Sequence, residues 1–418
     1  MPPFAYRDGE LCAEQVPLSR VAESVGTPCY VYSRRCIDTN WRAYDDAFGG
    51  HPHRICYSVK ANGTLAVLNI LARLGSAFDI VSGGELERVK RAGGDPSNVV
   101  FSGVGKSQLE IDTALTADIG CIDVESVGEI DRVSEAAVRL RRTAPLAVRV
   151  NPDVDPKTHP YIATGLRTAK FGIDIDSALE TYRYAAARPG IDVCGVACHI
   201  GSQLMDAAPL LEAFHRLLDL TEALRAEGIL IRHIDAGGGL GIGYGTGVVP
   251  DRAAWIEAMV DAVRRRRLDL EILIEPGRSI VGEAGVLLTR VEYLKSNADR
   301  HFAVVDAGMN DLLRPALYQA RHDIMTVRQS DREGDVFDVV GPVCESADVL
   351  GTGRRLALAP GDLIAVADAG AYGSVMASNY NARPRPAEVM VDGGAFHVVR
   401  RRETIDDMLA MESLIDSN

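Results

Sequence analysis

Eight short apolar runs recur between residues 54 and 277, and the stretches between them carry helical periodicity. The runs are RICYSVK (54–60), AFDIVS (77–82), NVVFSG (98–103), CIDVES (121–126), LAVRVNP (146–152), DVCGVACHIG (192–201), HIDAGGG (233–239) and EILIEPG (271–277). The first four begin at residues 54, 77, 98 and 121, about one strand-plus-helix unit apart. Segments such as GTLAVLNILARLGS and SVGEIDRVSEAAVRLRRT place apolar residues three and four apart, as an amphipathic helix does. Strands that alternate with helices form a parallel sheet, and eight such units predict a closed (β/α)8 TIM-type barrel. After about residue 283 the texture changes to strand-like segments with closely spaced turns, among them GVLLTRVEYLKS, HFAVVDAG, DVFDVVGPVC and AEVMVDGG. The expected organisation is therefore a barrel over 34–282, opened by a helix from Arg34 to Phe48, and an all-β domain over 283–418. The segment 1–33, with its strand-like PCYVY, is expected to join the β-domain.

Composition narrows the partners. The 418 residues include 45 Lys and Arg against 58 Asp and Glu, a net charge of −13. The longest basic run, Arg264 to Arg267, ends a predicted helix, where cations complement the dipole. Nucleic acid is not an expected partner. No apolar stretch approaches the roughly 18 residues that span a bilayer, so no membrane partner is expected either. The opening MPPFAYRDGEL lacks the charged and apolar regions of a secretory leader, which favours a cytoplasmic location. Eight cysteines lie between Cys12 and Cys344 without a CxxC pair, a spacing that suits reduced thiols better than a disulfide frame or a zinc site. Cys194 and Cys198, four apart on a predicted strand, are expected to share one face.

The polar residues of the eight runs sit at their C-terminal ends: Lys60, Asp79, Ser102, Asn151, His199, the glycines 237–239 and Glu275. In a barrel those ends share the face on which active sites are built. Lys60 has two readings there, a strand-end lysine reaching water or a desolvated amine acting as a nucleophile. The run Gly237-Gly238-Gly239 is either a tight turn or a place where backbone N–H groups meet an anion. The next strand ends Glu275-Pro276-Gly277-Arg278-Ser279, bringing a carboxylate and a guanidinium to the same rim. An amine, a phosphate cradle and a carboxylate between them suit pyridoxal 5'-phosphate, whose aldehyde needs a lysine and whose ring nitrogen needs a partner.

The motifs YSVKAN, GSAFDIVSGGEL, FSGVGK, NPDVDPKTHPYIATG, KFGI, HIGSQ, DAGGGLG, EPGRS, GMNDLLRPALY, GPVCESAD and DAGAYG follow one another in that order. Through them the chain, from about Pro28 to Leu409, resembles the fold-type III, alanine-racemase-like pyridoxal-phosphate decarboxylases. It is most similar to the branch that acts on meso-2,6-diaminopimelate. The resemblance implies decarboxylation of that compound to L-lysine and carbon dioxide, the final step of lysine biosynthesis, with pyridoxal phosphate as cofactor and no metal. It implies that Lys60 bonds the cofactor, that His199 stacks on its ring, and that Glu275 keeps the ring nitrogen protonated and so a better electron sink. Asp79 would support the lysine, and Ser202, Gly238, Gly239, Pro276, Gly277, Arg278 and Tyr372 would surround the cofactor. Cys344 would be the acid that reprotonates the product, since a thiol of pKa about 8.5 is protonated at neutral pH yet transfers its proton readily. The resemblance also implies a homodimer with active sites at the interface. Arg278, Arg314, Tyr318, Glu345 and Tyr372 would bind the substrate, whose second amino-acid head group calls for a cation and an anion at the far end of the pocket. The segment DPKTHPYIATG (155–165) would be a mobile loop over the pocket.

Three alternatives bear on this reading. A racemase on the same barrel needs a second base and an uncharged ring nitrogen, which Glu275 opposes. A related decarboxylase acting on lysine, ornithine or a carrier-bound amino acid would not need Arg314 with Glu345. A catalytically inactive binding homologue would not need Lys60, Glu275, Arg278 and Cys344 together.

Overall fold

The computed structural model describes residues 2–155, 165, 170–298 and 300–415. The chain divides into two compact units. One comprises residues 38–243 and 247–280, the other residues 1–37, 244–246 and 281–418.

The first unit is an eight-stranded parallel barrel. Strands one to eight are His53–Ser58, Ala77–Ile80, Val99–Phe101, Cys121–Val124, Ala144–Asn151, Ile191–Ala197, His233–Asp235 and Glu271–Ile274. Each pairs in parallel with its neighbours in sequence, and the ring closes where Ile272 of strand eight meets His53 of strand one. Register sets which strand ends are level: Ser58 lies opposite Asp79, and Ile80 opposite Phe101. The barrel interior holds Cys56, Ala77, Val100, Cys121, Ala147, Cys194 and Leu273 in one buried cluster.

Local sequence explains how the helices begin. The pattern Ser-x-x-Glu recurs at Ser82–Glu85, Ser107–Glu110 and Ser126–Glu129. In each, the serine side chain accepts the backbone N–H three residues on, capping helices Gly83–Arg91, Gln108–Thr116 and Val127–Leu140. At Ser107 the glutamate returns the bond and completes a capping box. Each cap is worth about 1 kcal/mol and fixes where strand end turns into helix. The opening helix runs from Arg34 to Ala47. One expectation fails. Strand six ends at Ala197 and shifts register between Val193 and Gly195, so Cys198 falls beyond the strand and does not share a strand face with Cys194.

The second unit is built on a nine-stranded sheet whose central element is Gly285–Asn297. That long strand pairs with Arg300–Val305, with Leu363–Val366 and with Cys29–Ser33. Cys29–Ser33 in turn pairs in parallel with Ala387–Asp392, near the end of the chain. Leu11, Val16, Leu18, Val31, Val286, Leu288, Val389 and Val391 are among the buried residues of its core. The unit is mainly β, with five-residue helices at Arg314–Tyr318 and Ile405–Leu409. No helix among the described residues is long and apolar enough to cross a membrane.

Leu273 is fully buried in the barrel interior. Leu273→Ala is expected to lower the unfolding free energy by about 2–5 kcal/mol, because the floor of a closed ring cannot collapse onto the void. The shift of the urea midpoint reads this, and a loss under about 1 kcal/mol would show that the layer is not close-packed.

Candidate active site

Strand one ends at Ser58, and Lys60 stands in the single 3-10 turn Val59–Ala61 that follows. Val59 and Ala61 are buried on either side of it. The Lys60 ammonium does not simply reach for water: it is paired with Asp79, whose side chain is 0 % exposed. The Ser58 hydroxyl lies 2.9 Å from the same Asp79 oxygen, Oδ2, and 3.0 Å from the carbonyl oxygen of Glu275. Asp79 Oδ1 is buried and has no protein hydrogen-bond partner. Strand two thus delivers a desolvated carboxylate directly beside the amine.

His199 follows strand six. Its Nδ1 accepts the backbone N–H of Gly238 at 3.2 Å and lies 3.9 Å from Glu275 Oε2. Burial lowers its pKa well below the usual range, and the charges of Arg149 and Lys60 lower it further. The ring is therefore neutral, with its lone pair on Nδ1 and its hydrogen on Nε2. The glycine turn after strand seven is required by contact as well as by conformation. Gly237 and Gly239 have φ of +69° and +113°. A Cβ at Gly238 would stand 2.0 Å from the Glu275 carbonyl oxygen.

Glu275 follows strand eight and is 6 % exposed. Ser102, at the end of strand three, donates its hydroxyl to Glu275 Oε1 at 3.2 Å. Burial raises the Glu275 pKa well above the carboxylate range, repulsion from Asp235 and Asp79 adds to this, and Lys60 opposes it. Oxygens of Asp123, Asp235 and Glu275 all lie within 4.8 Å of one another. Beyond Glu275, the turn packs onto the lysine turn: a Cβ at Gly277 would meet Ala61 Cβ at 2.9 Å and Ser58 Cβ at 3.0 Å. The Pro276 carbonyl accepts the Ser58 N–H at 3.1 Å. Arg278 Nη2 donates to Ser202 Oγ at 2.9 Å.

This donor set fits pyridoxal phosphate. An amine is available for the aldehyde, a neutral imidazole for the ring face, a buried acid for the ring nitrogen, and a guanidinium, a hydroxyl and glycine-rich backbone for the phosphate. Lys60, Asp79, His199, Ser202, Gly238, Gly239, Glu275, Pro276, Gly277 and Arg278 all belong to the barrel unit. Ser58, Arg149 and Asp235 were not picked out from the sequence. Arg149 is buried on strand five, two residues before Asn151 and on the same face, and bonds Glu125 at 3.0 Å. Its inward position follows from the strand's period of two, read back from Asn151.

In the second unit, Arg314 is 5 % exposed rather than a surface residue. Its Nη1 lies 2.9 Å from His322 Nε2, and its guanidinium stands 4.7 Å from the centre of the Tyr244 ring. His322 Nδ1 lies 2.8 Å from the Ala367 carbonyl oxygen, so Nδ1 carries the hydrogen and Nε2 accepts from the arginine. Tyr318 closes the short helix that Arg314 opens. Cys344 is exposed, and its N–H donates to Asn381 Oδ1 at 3.2 Å. Glu345 accepts the Tyr380 hydroxyl at 2.5 Å. Tyr372 is half-buried with φ of +55°. Residues 156–164 of the expected loop over the pocket lie outside the described residues.

Residues 34–282 match the family model for the pyridoxal-dependent decarboxylase, pyridoxal binding domain. The chain is 54 % identical over 413 residues to the diaminopimelate decarboxylase of Vibrio cholerae, covering 99 % of each. It is 55 % identical over 415 residues to that of Pseudomonas aeruginosa, covering 99 % of this chain and 100 % of the other. Among solved structures, diaminopimelate decarboxylase from Helicobacter pylori complexed with L-lysine superposes with a TM-score of 0.91 at 41 % identity, covering 94 % of this chain and 98 % of that one. Diaminopimelate decarboxylase from m. jannaschii, in co-complex with L-lysine, superposes with a TM-score of 0.95 at 37 % identity, covering 99 % of this chain and 98 % of that one. With a barrel whose strand ends carry this donor set and full-length likeness of this order, the chain belongs to the diaminopimelate decarboxylase family of pyridoxal-dependent decarboxylases.

Proposed function

We propose that this chain is a pyridoxal-phosphate-dependent carboxy-lyase that converts meso-2,6-diaminopimelate to L-lysine and carbon dioxide, the lysine-forming step of lysine biosynthesis. The observation that carries this reading is the Lys60–Asp79 pair set among His199, Glu275 and Arg278 at the barrel strand ends, in a chain with full-length likeness to diaminopimelate decarboxylases. Pyridoxal phosphate, when bound, supplies an electron sink for the pair left behind as carbon dioxide departs.

The residues divide the remaining work. Lys60 would hold the cofactor covalently, and Asp79, paired with it, orients its amine. His199, neutral and pinned by the Gly238 N–H, would face the ring without adding charge. Glu275 would keep a proton on the ring nitrogen, and Ser102 orients its carboxyl group. Arg278 and Ser202, with Gly238, Gly239 and the backbone of Pro276 and Gly277, would hold the phosphate, and the motif assigns Tyr372 the same role. In the substrate the bond between the α-carbon and one carboxylate breaks. The Cys344 thiol gives its proton to that carbon, and the thiolate recovers a proton from water.

Arg314 pairs with the distal carboxylate through two parallel hydrogen bonds, and Glu345 with the distal ammonium. Tyr318 and Tyr372 donate further hydrogen bonds. The packing of Arg314 between His322 and Tyr244 supports this role, since a guanidinium already held in place loses little freedom on binding. Exposure of Cys344 supports assembly as a homodimer, in which Cys344 and Glu345 of one subunit complete the site of the other. The runner-up substrates are lysine, ornithine and carrier-bound amino acids, none of which needs the Arg314 and Glu345 pair.

With pyridoxal phosphate present, carbon dioxide release is expected from meso-diaminopimelate and not from L-lysine or L-ornithine. Release from a monocarboxylate alone would assign the distal residues wrongly. Lys60→Ala is expected to abolish the visible absorbance band of the bound cofactor, and a retained band would remove the lysine from its role. Cys344→Ala should keep that band while turnover falls by about 10²–10⁴-fold; near-normal turnover would exclude the acid role. For Arg314→Met a loss of about 100-fold or more in kcat/KM is expected, since one partner of a desolvated charge pair is removed. Steady-state kinetics showing less than a fivefold change would detach Arg314 from the substrate.

A further inference from the structure

We propose that the floor of the barrel binds one zinc-class ion through Cys121, Cys194 and His233. The spacing of these residues in the sequence gives no metal motif; the fold assembles them. Cys121 opens strand four, Cys194 lies on strand six and His233 opens strand seven. All three are buried, at 0 %, 2 % and 4 % exposure. Their donor atoms lie within 4.8 Å of one another.

The geometry is that of a shared ion. The two sulfurs are 3.8 Å apart. A disulfide would need about 2.05 Å. Two Zn–S bonds of about 2.3 Å at the tetrahedral angle put the sulfurs about 3.8 Å apart. Asp123 Oδ1, 3.6 Å from Cys121 Sγ, is an oxygen donor at hand for a fourth position. The imidazole has a place made for it: Gly195 is in register with His233, and a Cβ there would stand 2.1 Å from His233 Nε2. Two sulfurs and a nitrogen form a borderline-soft set that selects Zn(II) over Mg(II) or Ca(II). Binding releases the two thiol protons to solvent. Arg54 and Arg232, the neighbouring cations, are engaged by Glu271 and Asp192 at 2.7 and 2.6 Å. A cavity of about 480 Å³ lined in part by Arg232 and Glu271 opens at this end of the strands. The ion would clip strands four, six and seven together inside the barrel, beneath the carboxylates of Asp123, Asp235 and Glu275.

The test uses the full-length holoenzyme, treated with chelator and titrated with Co(II) without oxygen. Tetrahedral cobalt bands in the red, clear of the cofactor's absorbance, are expected to saturate at one ion per chain and to be displaced by Zn(II). They should be lost in Cys121→Ser, Cys194→Ser and His233→Gln, and kept in Cys344→Ser, which removes the exposed thiol. X-ray absorption of the zinc-loaded wild type is expected to show two sulfurs at about 2.3 Å and needs no variant to fold. Bands that never saturate, bands indifferent to the three substitutions or lost with Cys344→Ser, or fewer than two sulfur ligands would each overturn the proposal and leave the contact as a thiol hydrogen bond.

Discussion

An excess of buried acid is the constraint around which the barrel is organised. Asp79, Asp123, Asp235 and Glu275 come from strands two, four, seven and eight, and all are buried. Burial pushes Asp123, Asp235 and Glu275 well above the ordinary carboxylate range, and each is raised further by another member of the set. Carboxyl groups so placed cannot all ionise, so the cluster holds protons until a cation arrives. Lys60 answers the charge of Asp79. A cation lodged beside Glu275 would answer another.

The backbone makes that electrostatic arrangement rigid. Gly238 lets the turn after strand seven lie against the Glu275 carbonyl, and Gly277 lets the next turn lie against the lysine turn. Ser58 then ties Asp79 to the Glu275 backbone through one hydroxyl. Amine, acid and imidazole are thereby held by main chain and short side chains rather than by long flexible ones. Groups positioned in this way need little reorganisation when charge develops during reaction.

Much of this was legible in the sequence, for identifiable reasons. A strand-helix alternation repeated eight times has one common solution, and a polar residue ending an apolar run marks a strand's C-terminal end. Lys60, Asp79, His199 and Glu275 therefore stood out. Asp235 and Arg149 did not, because each lies within an apolar run where a single polar residue reads as tolerated rather than placed. The proximity of Cys121 to Cys194 depends on two strands separated by a third, a relation that no local spacing encodes. His322 escaped notice for a similar reason, since its value lies in holding Arg314 from eight residues away. In the β-rich unit the strands were visible but their order was not. Sheets wired by distant pairings are specified by the whole core.

That wiring has a consequence for the order in which the protein is made. Cys29–Ser33 is among the first strands to leave the ribosome, yet its partners are Gly285–Asn297 and Ala387–Asp392. Every residue of the barrel unit is synthesised before the second of these exists. At about 5–20 residues per second, the last edge of the early strand waits roughly 20–70 s for its neighbour. During that interval CYVYS is an apolar strand with an open edge, the kind of segment that pairs with other chains. The barrel can close while its N-terminal neighbour is still incomplete, so the interval most exposed to misassembly belongs to the β-rich unit, and it ends only when the closing strand near the C-terminus is delivered.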